Sequence, residues 1–336
     1  MRKLSGLFIT AILALSLAAL FNGCGGGSSG STSREGGPDA TLTSASASLV
    51  GDTVTQAVKL VAPAAALGNL KTSSISPEEK PPLVSILDTV LSACRNSLQG
   101  KHISALYTSK ENCTNGGTIT INITSVDLLK KLIHSDIDVS SCTVGTQTLH
   151  GTMGVDYIVG SIDVLTNPTL ENLKNFEEVT LTTSGFTYVT TANNDNLTFT
   201  DLTMVLRDFT YNGNSLTGGL ITLGGLATGT IDGEAINIEC DSFGLSFSTN
   251  TAGVTVSVFG RIKASCLGGW VTIATNQPVF TPANAHCPTA GQVLASSGGN
   301  SVSVAIGADS GIILSFNGNP VQTYNNCNEV KGFCKG

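Results

Sequence analysis

The chain has 336 residues, of which 41% are hydrophobic and only 12% charged, with 38 Gly and 9 Cys. That balance supports a folded core and excludes intrinsic disorder, which needs low hydrophobicity with high charge; a chain of this length buries roughly 75% of its unfolded surface. A net charge of −7 without a Lys/Arg cluster excludes a dedicated nucleic-acid surface.

At the N-terminus, Arg2 and Lys3 precede an uncharged apolar run from Leu7 to Phe21. This is the pattern of a secretory signal, and the run falls short of the ~20 residues of a permanent transmembrane helix. The run ends in Leu20-Phe21-Asn22-Gly23-Cys24 followed by three glycines, and so resembles a bacterial lipoprotein signal. The resemblance implies acylation of Cys24 and, with Gly25 rather than Asp next, an outer-membrane address. Cleavage near Ala18 or Ala19, with Cys24 left as one more thiol, is the alternative. Removing the signal takes away Arg2 and Lys3 and no acid, which moves the net charge from −7 to −9. Lipid, not charge, is then the expected membrane contact.

Setting Cys24 aside leaves Cys94, Cys113, Cys142, Cys240, Cys266, Cys287, Cys327 and Cys334. An even remainder in an exported chain points to up to four disulfides, although spacing alone does not choose among the connectivities. The sequence-local pairings are Cys94–Cys113, Cys240–Cys266 and Cys287–Cys327, with Cys142–Cys334 as the remainder.

After the signal (1–23), residues 24–40 are Gly/Ser-rich and read as a flexible tether. A helical segment is expected over 41–100, packing on the main domain. Within it Asp52 is placed as the N-cap of a stretch carrying Val54, Val58, Val61 and Ala65 at helical spacing. A second apolar stripe follows Pro81-Pro82, on Leu83, Ile86, Leu87, Val90, Leu91, Cys94 and Leu98.

From 101 to 336 the period is two. Ile119, Ile121 and Ile123 alternate with polar residues, as do Leu149, Met153, Val155 and Tyr157, then Leu202, Met204 and Leu206, and on through Val254, Val256 and Val258 to Ile312, Leu314 and Phe316. Asn193 to Asn196, Asn212-Gly213, Asp232-Gly233, Thr249 to Gly253, Gly307 to Gly311 and Asn317-Gly318 supply turns. The expected fold is mainly β: a long antiparallel meander of about ten to fourteen strands, as an open half-barrel, curved sheet or sandwich. A short helix is expected over Val126–His134. The low aromatic content, 5%, argues against the girdles of a membrane barrel.

The signal end Cys24-Gly25-Gly26-Gly27, the helical preface, the Thr/Gly-rich strands and a closing Cys287-Pro288-Thr289-Ala290-Gly291 with Asn317-Gly318, Tyr324 and Cys327 together resemble uncharacterised surface lipoproteins of Gram-negative bacteria. That resemblance carries no activity.

Catalytic chemistry lacks a signature. His102, His134, His150 and His286 stand at no metal-ligand spacing and read as surface or packing residues, and no Cys-x-x-Cys occurs. Gly307-Ala308-Asp309-Ser310-Gly311 superficially resembles a serine-nucleophile segment but lies between two alternating runs, where a hairpin turn is the expectation. Asp136 and Asp138 share a face if extended, and Asn193 to Asn196 with Asp201 offer oxygen ligands, without the spacing of a calcium loop. The expected function is therefore that of a non-catalytic, disulfide-stapled, outer-membrane-anchored structural or interaction module without a cofactor. Its expected partners are the membrane, through the lipid, and an envelope protein. The alternative is a carrier cupping a lipid or other hydrophobic ligand in a β-sheet groove.

Overall fold

A computed structural model describes residues 37–55, 107–127, 129–159, 176–191, 195–212, 215–231, 234–283, 285 and 287–330. The chain is mainly β, and its strands pair in chain order in an antiparallel meander, with only β6 departing from the path to pair β4 and β7. The described residues form two compact units. One takes those between 107 and 216 and between 227 and 235; the other takes those between 37 and 55, 217 and 226, and 236 and 330.

The first unit is built on β1 (Tyr107–Asn112), β2 (Thr118–Asp127), β3 (Leu132–Val144), β4 (Gln147–Val159), β5 (Phe176–Thr183), β6 (Phe186–Thr190) and β7 (Asn196–Asn212). Strict alternation makes these strands: Ile119, Ile121 and Ile123 on β2, Ile133, Ile137 and Val139 on β3, and Met153, Val155, Tyr157 and Val159 on β4 are all buried. The short helix expected over Val126–His134 does not form. Asp127 Oδ1 instead accepts the backbone N–H groups of Leu129 (3.0 Å) and Lys130 (3.1 Å), and Lys131 takes a φ of 52°, so the segment is a turn between β2 and β3. A carboxylate that bonds the backbone two and three residues on competes with helix formation and favours a turn.

A line of irregularities crosses four neighbouring strands of this unit. The β3–β4 register breaks between Val139 and Cys142, where Ser141 has φ 48°. On β4, Gly151 has φ 130°, and a Cβ there would stand 2.7 Å from Gly185 O and 2.9 Å from Phe186 Cα, so only glycine fits. Ser184-Gly185 separates β5 from β6, which pair with successive halves of β4 and thus act as one interrupted strand. Asp201 on β7, at φ 50°, completes the line. Bulges of this kind bend a strand and re-aim its side chains.

β8 (Ser215–Ile231) and β9 (Glu234–Asn250) contribute residues to both units. The second unit continues with β10 (Gly253–Ala264), β11 (Trp270–Pro282), β12 (Ala290–Ser297), β13 (Asn300–Ile306), β14 (Ile312–Phe316) and β15 (Asn319–Tyr324). It repeats the bulge device: the β9–β10 register shifts between Phe259 and Arg261, around Ser242 at φ 48° and Gly260 at φ 104°. The expected Gly307–Gly311 turn forms, with Gly307 N–H donating to Gly311 O at 2.9 Å and Ser310 at φ 66°; this places Ser310 at the tip of a hairpin.

Chain preceding the sheet covers one of its faces in this unit. Asp39 makes a parallel bridge to Trp270, Ser297 Oγ donates to Ala40 O (2.6 Å), and Asn300 Nδ2 donates to Leu42 O (3.0 Å). Docking thus begins within the stretch read as tether. A helix, α1 (47–55), follows and buries Ala47, Val50 and Val54. Its cap is Thr43 rather than Asp52: Thr43 Oγ1 accepts the Ser46 N–H (3.1 Å) and Ser46 Oγ accepts the Thr43 N–H (2.9 Å), a reciprocal box that starts the helix earlier. Asp52 consequently falls in the helix interior, fully buried, where it accepts the Tyr324 hydroxyl at 2.6 Å. The stripe on Leu83–Leu98 and the other positions from 56 to 100 lie outside the described residues.

The disulfides correct three of the four expected pairings. Cys113 bonds Cys142, with Cα atoms 5.4 Å apart, not Cys94, and so ties the β1–β2 turn to β3. That bond also removes Cys142 from any pairing with Cys334. Cys240 is a free thiol while Cys266 is disulfide-bonded, so those two do not pair. Cys287–Cys327 forms as expected, with a Cα separation of 5.7 Å. Cys24, Cys94 and Cys334 lie outside the described residues.

Candidate functional site

The solvent side of the first unit carries a groove of about 620 Å³. Strand register builds it. Asn122 on β2 pairs with Asp136 on β3, which pairs with Gly154 on β4, Thr182 on β5 and Thr203 on β7 in turn, so five strands place one residue each in a single row. The middle position of that row has no side chain. A Cβ on Gly154 would stand 3.0 Å from Thr182 Oγ1 and 3.5 Å from His134 Cε1, which makes this glycine the floor of the groove. Asp138, Thr152, Ser184 and Asp201 line the same groove along the line of bulges.

His134 forms one wall. It sits directly opposite Asp156 in the β3–β4 register, and its Nδ1 is 2.5 Å from Asp156 Oδ1. Nε2 lies 3.4 Å from Asp136 Oδ1, two residues along β3. A neutral imidazole donates from only one nitrogen, so two flanking carboxylates favour the imidazolium. The hydrogen bond to Asp156 raises the His134 pKa above its usual 6.5, against the opposing effect of partial burial, with the Asp136 charge adding to the rise.

Asp136 and Asp138 do share the exposed face of an extended strand, with Ile137 buried between them. Asp201 joins them from β7, whereas Asp195, from the same oxygen-rich stretch, is buried. Asn193 and Asn194 lie outside the described residues. Among the described residues, no group of three or more His, Cys, Asp or Glu side chains is placed to hold a metal ion. The sequence reading of His134 as a surface or packing residue misses its pairing with Asp156, which depends on a register between residues 22 apart; the only hint of it in sequence is the alternation that puts both on outward positions.

The second unit holds a different polar cluster. Arg261 stands 5.0 Å and Lys263 5.8 Å from the centre of the buried Trp270 ring, with Arg261 also paired to Asp39 (3.3 Å) and Asp241 (3.5 Å), and Lys263 to Glu239 (3.4 Å). Each of its cations has a carboxylate partner, which suits the cluster to holding the 37–42 segment in place. Nearby, burial together with the charges of Glu239 and Asp241 pushes the free Cys240 thiol up to about 12, far from the thiolate needed for reactivity.

No protein-family model matches the chain, and no curated protein and no solved structure matches it.

Proposed function

We propose that this protein is a non-catalytic interaction or structural module of a bacterial cell envelope, held at the outer membrane by lipid on Cys24. The observation that carries this reading is the pair of disulfides, Cys113–Cys142 and Cys287–Cys327, taken with the reading of residues 1–23 as an export signal. Disulfides persist in oxidising compartments outside the cytosol. The non-catalytic part rests on His134: with a carboxylate at each ring nitrogen, the imidazole presents no free lone pair for general-base work.

Metabolic labelling with radioactive palmitate in the native host tests the anchor. Label is expected on the wild-type chain, which sediments with outer membranes, and is expected to be absent from Cys24→Ser. An unlabelled wild-type chain recovered free in the culture fluid overturns the reading.

A further inference from the structure

Cys266 carries a bond that neither of the two described disulfides contains. It is disulfide-bonded, yet Cys113 pairs with Cys142, Cys287 pairs with Cys327, and Cys240 is a free thiol. Its partner is therefore one of the three cysteines outside the described residues, Cys24, Cys94 or Cys334. Cys266 occupies the turn between β10 and β11, where Leu267 N–H donates to Ala264 O at 3.0 Å and Ser265 N–H donates to Asn237 O at 3.1 Å. The same turn receives the chain that precedes the sheet. Trp270 N–H donates to Pro38 O (3.0 Å), Ala40 N–H donates to Trp270 O (2.9 Å), and a Cβ on Gly269 would stand 2.5 Å from Pro38 O.

We propose that Cys266 bonds Cys334, fastening the C-terminal tail to the turn where residues 37–40 join the sheet. Chain length selects Cys334 over Cys94. Cys334 lies four residues beyond Val330, which is buried and belongs to the same unit as Cys266. Cys94 lies 39 residues beyond Thr55, the nearest described residue of that unit, and only 13 before Tyr107 in the first unit. The effective concentration of a tethered group falls roughly as the −3/2 power of tether length, so tether length alone favours Cys334 about thirtyfold. Cys287–Cys327 adds to that advantage, because it fixes the chain seven residues before Cys334. Acylation removes Cys24 from the choice: its sulfur is then a thioether and has no thiolate to react. In that step the inference rests on the reading of Cys24 as the lipid anchor. Forming the bond takes two electrons and two protons from the two thiols and passes them to the disulfide of a thiol oxidase in the oxidising compartment, which is reduced to a dithiol. Cys94 then keeps its thiol, as Cys240 does.

The test is peptide mapping by mass spectrometry of the full mature chain, purified without reductant. Free thiols are first blocked with N-ethylmaleimide in denaturant at mildly acidic pH, where few thiolates remain to exchange with disulfides. Expected are a linked pair of peptides containing Cys266 and Cys334, which separates on reduction, and maleimide on Cys94 and Cys240. Cys94→Ser should retain the Cys266–Cys334 link in full, since that substitution touches neither partner. A link between Cys266 and Cys94, or maleimide on Cys334, overturns the proposal. A link between Cys266 and Cys24 overturns it together with the lipid anchor, whereas a Cys266–Cys334 link in a chain that takes up no palmitate removes the anchor and leaves the pairing standing.

Discussion

The two units apply the same β grammar to opposite ends. Each is an antiparallel meander with a line of bulges, a glycine at positive φ that lets backbones approach closely, and one described disulfide between cysteines distant in sequence. They differ in what the chain lays against the sheet. In the second unit, residues 37–42 and α1 lie against the sheet: Gly51 approaches Leu314 so closely that a Cβ would meet its Cδ1 at 2.6 Å, and the Asp52–Tyr324 hydrogen bond is buried beneath them. Charges there are consumed internally. In the first unit, the row from Asn122 to Thr203 stays open to solvent, with carboxylates in excess. The contacts of the 37–55 segment serve stability, whereas the open row makes none of that kind.

The largest effects should come from the disulfides, and they test whether the two units are stapled equally. The bonded cysteines are 29 and 40 residues apart, so the chain-entropy relation assigns about 3.5 to 4 kcal/mol to each bond. Urea unfolding of the Cys113→Ala/Cys142→Ala and Cys287→Ala/Cys327→Ala double variants should show losses within about 1 kcal/mol of one another. A much larger loss for one pair would show that its unit alone sets global stability.

Next come the bulge glycines. Gly151→Ala and Gly260→Ala should each destabilise by about 2 kcal/mol, because both place a Cβ at positive φ against the backbone of a neighbouring strand. A neutral Gly151→Ala would mean that the line of bulges in the first unit relaxes where that in the second does not. Tyr324→Phe should cost about 1.5 to 2 kcal/mol, since it removes a donor from the buried Asp52 carboxylate; the same denaturation experiment reads it, and an unchanged midpoint would reduce the strap to passive packing.

The smallest effect is a pH dependence confined to the open unit. The folded pKa of His134 is raised above 6.5, so its contribution to stability is fully present below pH 6.5 and is lost as pH rises through the folded value. An NMR titration should place the His134 midpoint above that of an exposed histidine, and Asp156→Asn, which removes the largest cause, should bring it back down. A midpoint unchanged by that substitution would assign the shift to Asp136 instead.

Much of this architecture was legible in the residues. Alternating Ile, Val and Leu with Asn-Gly and Gly-x-x-x-Gly turns specified the strands because a half-buried sheet requires period two, whereas sequence proximity matched only one described disulfide, Cys287–Cys327. The helix near 47–55 was placed too late: Asp52 resembles a cap, but the Thr43–Ser46 box acts first. Asp127, an equally good turn former, defeated the helix expected at Val126–His134. In both cases a short polar side chain bonding its own backbone decided the matter.

By itself, then, the amino-acid order determined the period, the turns, the facing of Asp136 with Asp138 and the class of fold, because these depend on steric and solvation preferences acting within a few residues. Tertiary structure alone decided which cysteines meet, that His134 stands against Asp156, that Asp201 joins Asp138 over a glycine floor, and that Asp52 is buried under Tyr324. Those outcomes depend on inter-strand register. A shift of one residue there would turn every one of these side chains to the other face of the sheet.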